Sequence, residues 1–125
     1  MELQTPRGMR DFMPPQMRAR NQVISVVERI FKKYGYEPLE TPALENMEVL
    51  NMKVGADTGK QIYSVEDGKL GMRFDLTVPL ARLVAGNPSL PKPFKRYCIG
   101  KVWRREEPQK GRFREFLQAD IDIVG

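Results

Sequence analysis

Arg104, Glu106, Arg112 and Phe116 are of the types that grip a nucleotide, and they fall within thirteen positions of one another. Arg104 and Arg105 close an apolar stretch that begins near Tyr97, and Glu106 opens the charged loop EEPQKGRFR. Arginine forks onto phosphate oxygens with paired donors, which favours it wherever phosphates are held. Past the loop the chain reads EFLQADIDIV. In a strand, Phe116, Gln118, Asp120, Asp122 and Val124 share one face, while Leu117, Ala119, Ile121 and Ile123 share the other. The second set is apolar and is expected to lie on a core. The first is a ring, an amide and two carboxylates, which suits the floor of a binding site for a nucleoside polyphosphate. A solvated hairpin with scattered charges accounts for the loop but not for this polar strand face. Gly100, inside the first limb, removes a side chain where something can approach closely.

The charge is concentrated on the same stretch. The chain has 21 basic and 16 acidic residues, a net +5. Residues 92–114 hold nine basic and two acidic side chains, or +7, so the remainder carries −2. A field of that sign draws an anionic ligand or a nucleic acid. A solvated charge run is the plainer reading, and only the coincidence with the strand pattern raises it above that. At 125 residues and 41% hydrophobic content, residues 1–125 have the length of one domain with one core. No apolar run approaches membrane-spanning length, so neither a membrane span nor a signal peptide is expected, and cytoplasmic residence is the default. The single cysteine, Cys98, cannot form an internal disulfide and reads as a small buried hydrophobe. With no histidine and one cysteine, a zinc site is not expected.

The elements that must position these residues follow in order. Pro14-Pro15 opens a helix whose stripe of Met17, Val23, Ile24, Val27, Ile30 and Phe31 predicts core packing, with Gly35 as terminator. A proline-punctuated strand, 37–42, follows, and residues 43–54 read as a short helix. A phosphate-loop reading of GADTGK fails: a Walker loop needs four residues between its glycines and a hydroxyl after the lysine. Here Ala56, Asp57 and Thr58 intervene and Gln61 follows Lys60. Segments 61–65 and 70–74 form a hairpin around Asp67-Gly68. Thr77 is placed to cap a helix over 78–85, with Asp75 as a carboxylate just before it. Three prolines in 87–95 mark a connector. Helices and hairpins in this order predict an α+β fold, an antiparallel sheet backed by helices.

Three stretches carry a resemblance. Arg104-Arg105-Glu106, a loop and Phe113-Arg114-Glu115-Phe116 resemble motif 2 of class II aminoacyl-tRNA synthetases, and EPQKGRFREFLQ is similar to its form in histidyl-tRNA synthetases. The long helix with the strand ending at Pro42 resembles motif 1, and Arg7-Gly8-Met9-Arg10-Asp11 resembles the opening segment of histidyl-tRNA synthetases. The resemblance runs from Arg7 to Gly125 and implies a partial class II synthetase catalytic core.

The reaction implied is attack of the histidine carboxylate on the ATP α-phosphate, followed by transfer to tRNA(His). Arg104 is then the catalytic residue at the α-phosphate, Glu106 lies near the adenine amino group, Arg112 near the distal phosphates and Phe116 under the adenine. Asp75, Thr77, Gln118 and Asp122 match the histidine-binding positions, with Asp122 one methylene shorter than the glutamate many relatives carry. Mg²⁺ is implied with ligands mostly outside this chain, and motif 1 implies a homodimer through residues 15–45. Motif 3 and an anticodon-binding domain are absent from these 125 residues, so the chain is expected to be an N-terminal part of a longer enzyme and inactive or very weak by itself. Two alternatives remain: a synthetase-like regulatory subunit of ATP phosphoribosyltransferase, in which motif 2 tends to erode, and a simple nucleic-acid-binding module, which needs neither Asp75 nor the acidic strand face.

Overall fold

Helix α1 spans Pro14–Lys33 in a computed structural model that describes residues 1–53, 55 and 59–125. Its start is set by the prolines and by Gln16, whose side-chain oxygen accepts the N–H of Met13 at 2.9 Å. Gly35, at φ +81°, ends it as the sequence predicts. The stripe is in register, with Met17, Ile24, Val27 and Phe31 half-buried, but no residue of α1 is fully buried. Its firmest hold on the sheet is Phe31, whose ring lies 5.5 Å from that of Tyr97.

Two small sheets follow in place of one. In the first, β1 (Glu37–Pro38) runs parallel to β5 (Phe94–Trp103), which pairs antiparallel with β6 (Glu115–Val124). The β5–β6 register runs from Phe94 opposite Val124 to Trp103 opposite Glu115. In the second, β4 (Leu70–Met72) lies between β2 (Leu44–Asn46) and β3 (Ser64–Val65), all antiparallel. Helices α2 (Met47–Asn51) and α3 (Thr77–Ala85) complete the α+β fold.

The expected strand over 37–42 is shorter than its sequence suggests, and 44–46 is a strand instead of the start of a helix. Pairing with β4 decides this: it buries Glu45 against Arg82, at 2.8 Å, and leaves Leu44 outside. Val54, the expected end of that helix, and Ala56, Asp57 and Thr58 of the GADTGK stretch lie outside the described residues.

The expected single core is divided. Leu50, Ile62 and Val78 form one cluster, and Leu76, Cys98 and Val102 form another with Phe116 against it. Arg73 joins them. It is 6% exposed, donates from Nε to Lys101 O at 2.8 Å and from Nη1 to Thr41 O at 2.7 Å, and its backbone carbonyl accepts Trp103 N–H at 3.0 Å. The close approach anticipated at Gly100 is Arg73 itself: a Cβ there would lie 2.6 Å from Nη2.

The apolar face of β6 is less covered than expected, with only Leu117 of its four residues half-buried. Gln118, Asp120 and Asp122 are half-buried, whereas Ala119, Ile121 and Ile123 are exposed. The turn after β4 lays Leu76 on the polar face at Cys98 and Val102. On the apolar face α1 leaves a cavity of about 400 Å³ between Val23, Ile24 and Val27 and the strand residues Ile99, Leu117 and Ala119. Gly100→Ala is expected to destabilise the fold by about 1–3 kcal/mol, the usual penalty for an added methyl in a filled site. Urea unfolding measures it, and a loss below about 0.5 kcal/mol would mean that Arg73 can step aside.

Candidate functional site

The β5–β6 hairpin gathers four of the candidate residues because its loop is closed at both ends. Arg104 N–H donates to Arg114 O at 2.8 Å and Arg105 N–H to Gln61 O at 2.7 Å. At the tip Gln109 and Arg112 exchange backbone bonds of 3.1 and 2.8 Å around Gly111, whose φ of +79° lets the chain reverse. A cavity of about 310 Å³ results, lined by Arg104, Glu106, Arg112 and Phe116 together with Arg10 and Phe113. Arg104 is anchored by Nε to Phe74 O at 3.0 Å, and its guanidinium carbon stands 5.1 Å from the centre of the Phe116 ring.

The other four candidate residues are distributed differently. Asp75 is the helix cap: Oδ1 accepts the N–H of Thr77 at 3.1 Å and of Val78 at 3.0 Å. The expected cap, Thr77, is already inside α3, so the carboxylate two positions earlier is the one that reaches the free amides. Thr77 lines a separate cavity of about 580 Å³ between α2 and α3. Gln118 donates Nε2 to both oxygens of Asp120 at 3.0 Å, and its buried Oε1 has no partner among the described residues. Asp122 Oδ2 accepts Arg96 Nη2 at 2.6 Å. The structure therefore brings Gln118 and Asp122 to the polar face of β6 and places Asp75 beyond Leu76, on the turn that covers that face.

The family model for histidyl-tRNA synthetase matches residues 8–125. The chain belongs to the histidyl-tRNA synthetase family. It is 56% identical over 125 residues to the histidine–tRNA ligase of Aeropyrum pernix and 51% identical to that of Korarchaeum cryptofilum, each match covering 96% of this chain and 29% of the relative. The crystal structure of histidyl-tRNA synthetase from Nostoc sp. PCC 7120 matches with a TM-score of 0.87 at 38% identity, over 99% of this chain and 29% of that one. A Bacillus halodurans structure described as an ATP phosphoribosyltransferase regulatory subunit/histidyl-tRNA synthetase matches at 0.82 and 27% identity, over 98% of this chain and 32% of that one. The chain thus spans less than a third of the length of these relatives.

Within the synthetase framework, sequence reasoning counted Arg96 only as charge. It is wholly buried, and beyond Asp122 it donates to Leu76 O and Asp120 O, each at 3.3 Å. Arg96 therefore ties the turn that carries Asp75 to the strand that carries Asp122. A cation facing a carboxylate across a fixed register, Arg96 opposite Asp122, is the signal that could have found it. Burial pushes the Cys98 thiol up from its ordinary range, against the lowering effect of Arg96 and Arg73. The thiolate is the reactive form, so at pH 8 native Cys98 is expected to be labelled by iodoacetamide far more slowly than the urea-unfolded chain. Equal labelling rates in the two states would contradict its burial.

Proposed function

We propose that this chain supplies the ATP- and histidine-gripping part of a histidine–tRNA ligase, which activates histidine with ATP and transfers it to tRNA(His). The observation that carries this reading is the single cavity lined by Arg104, Glu106, Arg112 and Phe116. The names of the relatives, at 51–56% identity, support the same reading.

In the activation step a histidine carboxylate oxygen attacks the α-phosphorus, the bond to the bridging oxygen breaks, and pyrophosphate leaves. Charge builds on the phosphoryl oxygens, so the chain acts by positioning and electrostatics. Phe116 stacks on the adenine and Glu106 accepts from its amino group. One of the five N–H donors of Arg104 is committed to Phe74 O, and the others serve the α-phosphate and the incoming carboxylate. Arg112 takes the distal phosphates. Asp75 Oδ2 and Asp122 face the cationic amino acid, and Gln118 Oε1, buried without a partner among the described residues, is an acceptor in want of a donor. Mg²⁺ accompanies ATP in such reactions. Among the described residues no three His, Cys, Asp or Glu side chains converge, and Glu106 is the carboxylate that lines the cavity. These donors do not make a cage for the ion.

A regulatory role in the manner of the Bacillus halodurans relative is the weaker reading, because that likeness is at 27% identity. A homodimer through residues 15–45 is supported by the exposed Val23, Val26, Ile30 and Leu44. A cytoplasmic location accords with the absence, among the described residues, of any helix long and apolar enough to cross a membrane.

Calorimetry of the 125-residue chain is expected to detect ATP binding at millimolar concentration, lost in Arg104→Ala; no binding by the unaltered chain sinks the site assignment. In the full-length enzyme Asp75→Asn keeps a capping oxygen while removing the charge. It should raise the histidine KM by roughly 10- to 150-fold, the worth of a charge-assisted contact, with the ATP KM nearly unchanged. Equal loss for both substrates would instead indicate a damaged fold. Light scattering is expected to give a dimer or larger species, and a stable 14.4 kDa monomer at high concentration would refute the interface.

A further inference from the structure

We infer that the N-terminal arm, residues 7–12, is a latch that holds the basic loop in its triphosphate-binding position, with Arg10 as the positioning residue. This rests on the nucleotide reading of the cavity and deepens it. Among the described residues the loop 106–114 is held from within by the Gln109–Arg112 exchange at its tip and by Arg114, which donates to Glu106 O and stands 3.9 Å from Glu107. The arm ties that loop, through Arg114 and Phe113, to the rest of the fold.

Three contacts make the latch. Arg114 N–H donates to Gly8 O at 2.7 Å, while Arg114 Nε donates to Glu106 O at 2.7 Å across the loop. Gly8 has φ +81°, and a Cβ there would stand 2.7 Å from Arg114 Cγ, so only glycine lets the arm lie this close. Arg7 adds an ion pair to Glu107 at 3.0 Å, exposed on both sides and worth little by itself.

The third contact is a ladder of cations and rings. Arg20 on α1 stands 3.8 Å from the centre of the Phe12 ring, Arg10 stands 4.8 Å from the same ring, and Arg10 stands 3.4 Å from the Phe113 ring. Guanidinium groups are drawn to ring faces at such separations. The ladder therefore runs from the long helix, through the arm, to the residue beside Arg112. Arg10 and Phe113 also line the cavity, whereas Phe12 does not. Losing the ladder frees the loop, so Arg112 spends less time where distal phosphates would lie, while Phe116, on β6, keeps its place for the adenine.

Two variants of the 125-residue chain test this, each first checked by thermal unfolding. Arg10→Ala removes the central rung, and Phe12→Leu loosens it without changing any charge or any cavity-lining residue. Hydrogen–deuterium exchange of residues 106–114, without nucleotide, should quicken by about 2- to 30-fold in both, the span of one cation–π contact. ATP affinity by calorimetry should fall by a similar factor, while adenosine affinity changes by less than about twofold. Unchanged exchange in both variants overturns the latch whatever the nucleotide does. ATP loss in Arg10→Ala alone, with exchange unaltered, makes Arg10 a direct phosphate ligand and also overturns it. Equal weakening of ATP and adenosine rules out a role confined to the triphosphate. If the unaltered chain binds no ATP, the nucleotide reading fails separately, and the exchange rates still decide the latch.

Discussion

Everything on the polar side of the β5–β6 sheet depends on how Arg73 is buried. A guanidinium taken out of water must recover its hydrogen bonds, and a bond to a charged group is worth about 1.5–3 kcal/mol. Arg73 recovers them from Lys101 O on one sheet and from Thr41 O on the segment leading into the other. That fixes the two sheets edge to edge, and it requires glycine at position 100, where Nη2 takes the space of a side chain. The following residues have no freedom left. Phe74 O must face Arg104, Leu76 must drop onto Cys98 and Val102, and Asp75 must arrive at the amides that open α3.

A second buried guanidinium repeats the device one step further along β5. Arg96 takes the carbonyls of Leu76 and Asp120 and the carboxylate of Asp122, so the turn and the strand cannot slide past each other. Its Nε has no partner among the described residues, a cost of burial that the fold accepts in return for this junction. One consequence touches the proposed amino-acid pocket. Asp122 carries a built-in cation on Oδ2, which holds this short carboxylate in place, whereas among the described residues Asp75 has, beyond its backbone bonds, a 3.8 Å approach from the exposed Lys53. Of the two carboxylates proposed to meet the ligand, Asp75 keeps the freer charge.

What could be read from the sequence was what neighbours decide. The start of α1 at Pro14, its end before Gly35, the turn at Asp67-Gly68 and the two long strands of motif 2 are local patterns. So is the gathering of Arg104, Glu106, Arg112 and Phe116, since a hairpin brings its two limbs together wherever it is placed. What could not be read was decided by distant residues. Leu44–Asn46 is a strand because β4 offers it an edge, and β1 runs parallel to β5 through a connection more than fifty residues long. Which face of β6 is covered depends on where Leu76 lands, and that follows from Arg73 reaching Lys101, 28 positions away. The period-2 pattern gave two faces without saying which would be covered.

The partners of these arginines explain why the positive field survives folding. Arg73 is held by backbone carbonyls, Arg104 by Phe74 O and Arg114 chiefly by Glu106 O. A carbonyl dipole satisfies the N–H groups but leaves the net charge in place, whereas a carboxylate neutralises it. Arg96 is the exception among them, and it lies at the proposed amino-acid end, where an uncompensated guanidinium would repel the ligand's ammonium group. Exposed acids at the loop add little, because water screens Glu107 against Arg7 and Arg114. Apart from Arg96, and Lys101, which pairs with Glu115, the cations in 92–114 therefore remain available to an anion entering the cavity, while at the other end of the same face Asp122 compensates Arg96. In the proposed reaction an anionic triphosphate and the ammonium group of a zwitterionic amino acid need different surroundings, and here these follow from which arginines take carbonyls and which takes a carboxylate.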